Sequence, residues 1–293
     1  MWHWKSALPP ALPARDRAEA VDSSIVIAAA PNGARKTKID HPHLPLTTKE
    51  LIETAISCTN AGASMMHFHI RDGKGRHSLD PEHYRRTLSE LEAAVGDRLL
   101  LQVTSEAAGV YSQPEQIELL QRLAPHCLSC ALREFIRSED NLESGSRFFS
   151  KLYDAGALIQ YILYSPAEVA WFVKLCEQGV LPGSKHLLLF VFGRYLDRDD
   201  TDIASLDEYL LPLKQHPWPC SWMVCGFDQH EFEVAEGAAA RGGHIRVGFE
   251  NNCSRPDGSQ ARNNSEQVSY MRRLAETYGR TSLDSSYAVT LHR

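Results

Sequence analysis

At 293 residues, 43% of them hydrophobic, the chain is long enough to bury a large core, either as one α/β barrel or as two ordinary domains. A formal net charge of −6 with no dense Lys/Arg block excludes a surface built to hold nucleic acid or anionic lipid, so a small molecule is the expected partner. Seven cysteines, an odd number spread from Cys58 to Cys253, read as reduced thiols rather than a disulfide framework.

The first 22 residues read as a flexible arm, because Pro9, Pro10 and Pro13 interrupt any helix there. Charges and prolines stand where a signal peptide needs an unbroken apolar segment, and no run approaches the roughly 20 residues that cross a bilayer. The expectation is a soluble cytoplasmic protein with one catalytic domain over residues 23–293. A first strand is predicted at 24–30 (SIVIAAA), followed by the polar turn Asn32-Gly33-Ala34-Arg35. Helix TTKELIETAISCTNAG comes next, capped by Thr47 and stopped at Gly62. A second strand at 64–70 (SMMHFHI) leads to DPEHYRRTLSELEAAVG, capped by Asp80 and ended by Gly96. Further strands are read at 99–103, 127–131, 158–164, 187–192, 221–225 and 244–249. Among the helices between and after them, SPAEVAWFVKLCEQG starts at Ser165 and stops at Gly179, and the closing NNSEQVSYMRRLAETYG starts at Asn263 and stops at Gly279. The Cys127-Leu128-Ser129-Cys130 pair has no second CxxC to complete a zinc knuckle and sits in a strand, which argues against a redox turn.

Eight β-then-α units ending on a helix predict a (β/α)8 TIM barrel of the α/β class. The doubly wound competitor lacks a GxGxxG after its first strand. In a barrel, strand residues alternate between the interior and the surrounding helices. Met66, Phe68 and Ile70 belong under the helices, so Met65, His67, His69 and Arg71 face inward. The two imidazoles would then lie about 6.5–7 Å apart along one side of a strand, able to converge on one ion. In the last strand the same alternation turns His244, Arg246, Gly248 and Glu250 inward. Only the first strand separates strands eight and two, so Glu250 can approach the ion of His67 and His69. Two neutral imidazoles and one carboxylate leave positions for water or substrate, the pattern of a catalytic rather than a structural metal site. A buried Arg246–Glu250 salt bridge or hydrogen-bonded core histidines are the plainer alternatives. Gln102, Thr104 and Glu106 share one face after the third strand, and Ser129 lies within the fourth.

The segments APNGARKT, HPHLPLT, AGASMMHFHIRD, LLQVTSE and GGHIRVGFENN, in this order and spacing, resemble the beta-keto acid cleavage enzyme family over nearly the whole chain after the arm. That resemblance implies an oligomeric zinc TIM barrel, a dimer or tetramer with one Zn2+ per chain. It would exchange acyl groups between a beta-keto acid and acetyl-CoA to give acetoacetate and a new acyl-CoA. By motif position the ligands would be His67, His69 and Glu250, with Arg246 as the catalytic arginine. Thr104 and Ser129 stand where the best-known member has a serine and a threonine. Two acids of that member, thought to serve the substrate's amino group and proton transfer, are replaced by Arg35 and by Asn251 in the catalytic set. The exchange disfavours a cationic tail and suits a neutral or anionic one. Glu106 is then the expected proton acceptor, with Asp72 second. Arg35 and Asn32 would read the substrate tail, and the charged run from Phe192 to Asp200 reads either as a coenzyme A contact or as an exposed loop. A zinc hydrolase and a barrel that binds a keto acid without turnover are the rival readings.

Overall fold

The computed structural model describes residues 22–194, 205–216 and 218–291. The expected arm, apart from Asp22, and the charged run after Arg194 lie outside the described residues. Eight parallel strands close into a barrel: β1 (Ile27–Ala29), β2 (Met65–Phe68), β3 (Leu100–Thr104), β4 (Cys127–Ala131), β5 (Leu158–Leu163), β6 (His186–Phe192), β7 (Cys220–Gly226) and β8 (His244–Val247). They follow one another in chain order around the ring, and β8 pairs with β1 through Arg246 and Ala28. Helices α1 (Thr48–Ala61), α2 (Pro81–Val95), α3 (Gln113–Leu123), α4 (Leu142–Asp154), α5 (Pro166–Glu177), α6 (Leu206–Leu210), α7 (His230–Arg241) and α8 (Asn264–Thr277) alternate with the strands, as predicted.

The helix starts follow from their caps. Thr47 and Glu50 form a reciprocal capping box at α1, and Asp80, Ser165 and Asn263 accept the free amides opening α2, α5 and α8. Alternation along the strands makes two apolar layers. Met66, Phe68, Val103, Leu128, Phe190 and Val247 pack under the helices, while Ala28, Met65, Leu158, Leu189 and Met223 fill the barrel interior. Each Val, Leu, Phe or Met side chain among them, taken fully from water, contributes roughly 1.5–3 kcal/mol. Cys127 belongs to the inner layer and Cys130 to the outer one, so the CxxC thiols face opposite ways.

The predicted strand 24–30 divides into Ser24–Ile25 and Ile27–Ala29, and two others are shortened by local backbone geometry. The 64–70 strand breaks after Phe68, and Ile70–Arg71 pairs antiparallel with His77–Ser78 in a hairpin. The 244–249 strand ends at Val247 because Gly248 adopts φ +145°. A Cβ on Gly248 would lie 2.3 Å from the carbonyl oxygen of Ala30, so only glycine lets the turn pass so close to β1.

The C-terminal residues complete the barrel in a way that periodicity did not reveal. Thr281–Ser282 pairs with Ser24–Ile25, and the short helix Ser285–Thr290 brings Ala288 and Leu291 into the inner layer. Tyr287 donates its hydroxyl to Asp22 at 2.5 Å. The buried Arg280 guanidinium gathers the carbonyls of Asp22, Ser24, Gly242 and Gly243, tying both ends of the described chain to the turn before β8.

Candidate metal centre and active site

The inward face of β2 delivers His67, and the break after Phe68 does not turn His69 away. Asn32 replaces the lost strand bonds: its Oδ1 accepts from the His69 amide at 3.1 Å, and its Nδ2 donates to the His69 carbonyl at 2.8 Å and to Pro45 at 2.9 Å. The two imidazole Nε2 atoms lie 3.2 Å apart. Glu250 arrives from the turn after β8, not from the strand's alternation, and its amide donates to the Ala30 carbonyl at 3.0 Å. Its Oε2 lies 3.5 Å from His67 Nε2 and 3.6 Å from His69 Nε2.

Protonation states follow from burial and partners. Burial pushes the pKa of His67 down to about 4 and that of His69 to about 3, so both rings are neutral at neutral pH. Burial alone would raise the Glu250 carboxyl, but the Arg246 guanidinium outweighs it and holds the carboxyl well below the usual range. The tautomer of His67 is set from the other side of its ring. Its Nδ1 meets Gln102 Oε1 at 2.9 Å, Gln102 Nε2 donates to Gln160 Oε1 at 3.1 Å, and Gln160 Nε2 points to the Met223 sulfur at 3.8 Å. A thioether only accepts, so it fixes the direction of both amides and leaves the His67 proton on Nδ1. His67 Nε2 therefore presents a lone pair toward the other two donors.

Glu250 Oε2 and His69 Nδ1 are buried without a hydrogen-bond partner among the described residues. In a tetrahedral zinc site with bonds of 2.0–2.2 Å, neighbouring ligand atoms stand about 3.3–3.6 Å apart. The observed separations of 3.2, 3.5 and 3.6 Å fit that triangle. The donor set also suits a divalent cation chemically, and the carboxylate oxygen without a hydrogen-bond partner among the described residues could serve as its anionic ligand.

Around this triangle stand the other predicted residues. Glu106 Oε2 lies 3.8 Å from His69 Nε2, and burial followed by the Glu250 charge raises its pKa to about 7. Thr104 Oγ1 accepts from the Glu106 amide at 3.1 Å, and Ser129 Oγ lies 3.5 Å from His67 Nδ1. Arg246 Nη2 reaches Glu250 Oε1 at 3.1 Å, Asn251 Oδ1 at 3.2 Å and Cys225 Sγ at 3.2 Å, while its buried Nε has no partner among the described residues. Burial keeps the Cys225 thiol protonated, its pKa pushed up to about 11, so the sulfur can accept.

Three predicted positions have geometry that their residue types did not reveal. The Asn251 amide is spent on Arg246, accepting from its guanidinium and donating to its carbonyl at 3.2 Å. Asn32 is fully buried and engaged with backbone, leaving it no reach toward a substrate tail. Asp72 pairs with Arg76 at 2.7 Å in the hairpin turn, away from the triangle. Arg35 is exposed at the rim, near enough for its charge to act on Glu106 and His77. Sequence reasoning missed His77, whose Nε2 meets the Glu106 carbonyl at 2.8 Å, and Gln160 and Met223 at the end of the amide relay. Their partners are remote in the chain, and no local pattern marks them. It also missed Arg71 as a support: its guanidinium binds the carbonyls of Gly33, Lys36 and Gly75.

A narrow cavity opens above the triangle, lined by Glu106, Ser129, Tyr164, Arg194, Phe227 and Arg246 among others. A larger and more open cleft of about 670 Å³ lies between the 41–43 loop, α1 and the start of α8, away from the triangle. One of its acids is already committed: Glu50 caps α1 and pairs with Lys38.

A family model described as beta-keto acid cleavage enzyme matches residues 24–291. Among curated proteins, the 3-keto-5-aminohexanoate cleavage enzyme of Fusobacterium nucleatum subsp. nucleatum is 29% identical over 263 residues, covering 87% of this chain and 93% of that protein. The 3-oxoadipate:acetyl-CoA acetyltransferase of Cupriavidus necator is 24% identical, covering 87% of this chain and 89% of its own length. Among solved structures, the ternary complex of ObcA with C4-CoA adduct and oxalate superposes with a TM-score of 0.66 at 17% identity, over 86% of this chain and 67% of that one, and supports the barrel fold.

Proposed function

Since the chain belongs to the beta-keto acid cleavage enzyme family, we propose that its barrel mouth takes a beta-keto acid and acetyl-CoA and yields acetoacetate and a new acyl-CoA. The observation that carries this reading is the convergence of His67 Nε2, His69 Nε2 and Glu250 Oε2 within 3.6 Å, with Glu106 and Arg246 against them. These three residues would hold one zinc ion, which supplies Lewis acidity that acidifies the C–H between the keto group and the carboxylate. Glu106 accepts that proton on its carboxylate, a role suited to an acid whose pKa is raised to about 7. Arg246, held by Glu250, Asn251 and Cys225, offers its unpartnered Nε to negative charge that develops on the substrate. Thr104 and Ser129 line the same mouth and orient the reacting groups through their hydroxyls. Asn251 serves by positioning Arg246, and Asn32 by positioning His69. Arg35 and Arg194 make the entrance cationic, which favours a tail that is anionic or neutral over an ammonium group. The segment after Phe192 would meet the coenzyme. Seven unpaired cysteines support a reducing, cytoplasmic setting, and a homo-oligomer is the expected assembly.

Metal-analysed protein incubated with beta-keto acids bearing carboxylate, neutral and ammonium tails tests the reading, with acyl-CoA products followed by mass spectrometry. Turnover is expected only with acetyl-CoA present, and fastest with the carboxylate or neutral tails. Keto acid loss without the thioester would refute acyl exchange in favour of hydrolysis. Glu106→Gln should lower kcat by about 10²–10⁴ while leaving the metal content unchanged. Turnover within a fewfold of the parent would remove Glu106 as the base.

A further inference from the structure

A second group of soft donors lies outside the barrel mouth, where the first residues of β6 and β7 meet α5. Cys176 is on the buried face of α5, His186 opens β6, and His216 lies in the connection that precedes β7. One donor atom from each comes within 4.8 Å of the others. Cys176 Sγ stands 3.5 Å from His186 Nε2. With Zn–S near 2.3 Å and Zn–N of 2.0–2.1 Å, the S-to-N edge of a tetrahedral site is about 3.6 Å. Cys220, the first residue of β7, is the direct register partner of His186, but its sulfur is not one of the donor atoms within 4.8 Å of one another. Its sulfur makes only a 3.9 Å contact with the Trp218 carbonyl.

A thiol-to-imidazole hydrogen bond would account for Cys176 and His186 but not for His216. Both His216 ring nitrogens are buried and have no partner among the described residues. Leaving such a group unsatisfied costs about 1–3 kcal/mol, and a neutral imidazole can have at most one nitrogen carrying a proton. Phe172 and Trp218 close around the pair, with ring centroids 5.2 Å from His186 and 5.0 Å from His216. A thiolate with two imidazoles is a donor set that selects zinc-like cations over calcium or magnesium.

We propose that Cys176, His186 and His216 bind a thiophilic divalent cation, zinc by donor chemistry, in a site separate from the barrel mouth. One thiolate and two imidazoles leave the fourth position to water, and the site ties α5 to β6 and to the connection before β7. It lies at the N-terminal end of the strands, the end of this architecture that carries stability.

Cobalt titration of the metal-free full chain separates this site from the His67 triangle, which has no sulfur ligand. The expected result is two equivalents of Co2+ per chain and a near-ultraviolet thiolate-to-cobalt charge-transfer band. Cys176→Ser should lose the band and one equivalent while keeping the other, and the retained equivalent together with far-ultraviolet circular dichroism certifies the fold. His216→Gln, in the connection and only half-buried, should weaken the thiolate-linked equivalent at least tenfold, and it carries the test if Cys176→Ser does not fold. A single equivalent with no thiolate band in the parent, or an unchanged band in Cys176→Ser, would overturn the proposal. The readout does not depend on keto acid cleavage, so either reading can fail alone.

Discussion

Gln102→Leu isolates the amide relay behind His67. The substitution keeps the side-chain bulk in β3 but removes the acceptor 2.9 Å from His67 Nδ1 and the donor 3.1 Å from Gln160 Oε1. Two buried polar groups lose their partners, each at roughly 1–3 kcal/mol. The Gln160 loss weighs equally on metal-free and metal-loaded protein, so it appears only as reduced stability. The His67 loss falls on metal binding, because the ring can then move its proton to Nε2, toward Glu250 Oε2 at 3.5 Å, and must return it before Nε2 can act as a ligand. Ser129 Oγ, at 3.5 Å from Nδ1, compensates only in part. The expected outcome is a 10- to 100-fold weaker metal affinity, equivalent to about 1.4–2.7 kcal/mol, with about 1–3 kcal/mol lost in urea melts of the metal-free protein. Competition against a chromophoric chelator measures the first quantity. A folded variant whose affinity stays within twofold of the parent would refute the claim that this relay sets the tautomer.

Glu231 and Gly248 lead to two further tests. Glu231 is buried against the Gly248 amide and Asn252, and burial raises its pKa from the ordinary 4.5 to about 8. Between those values the folded chain holds a proton that the unfolded chain releases. Stability from this group is therefore complete below pH 4.5, falls as pH rises, and levels off above about 8, by at most about 5 kcal/mol over the window. Glu231→Gln should flatten that slope in denaturant midpoints taken from pH 5 to 8, and an unaltered slope would show that the carboxyl is not held protonated. Gly248→Ala would set a Cβ 2.3 Å from Ala30 O at φ +145°, so it should cost more than about 2 kcal/mol and displace Glu250 from the imidazoles. Unchanged stability together with unchanged metal affinity would contradict the close approach.

What the sequence disclosed was whatever repeats or sits next to its own signal. Caps at Thr47, Asp80, Ser165 and Asn263 mark helices because their bonds span three residues. The alternation in MMHFHI reveals the inward imidazoles because strand geometry has period two. Everything decided by distant partners stayed hidden. Asn251 could be read as a catalytic side chain until its amide was found on Arg246, and Asn32 as a substrate contact until it was found replacing the strand bonds of His69. Glu250 reaches the triangle, but through a turn that passes Ala30, not through the strand's alternation. Cys176, His186 and His216 are spread over three elements with no regular spacing, so they come together only in three dimensions.

The helix Ser285–Thr290 makes the barrel a blind well. Ala288 and Leu291 join Val26, Met65 and Leu187 in the inner layer, so among the described residues the lower end is filled and the cavity beside His67 opens at the mouth. A small keto acid has to settle at the bottom before a bulky thioester covers it, so compulsory-order kinetics should follow: acetyl-CoA bound first would trap the enzyme in a dead-end complex, seen as thioester inhibition that extra keto acid relieves.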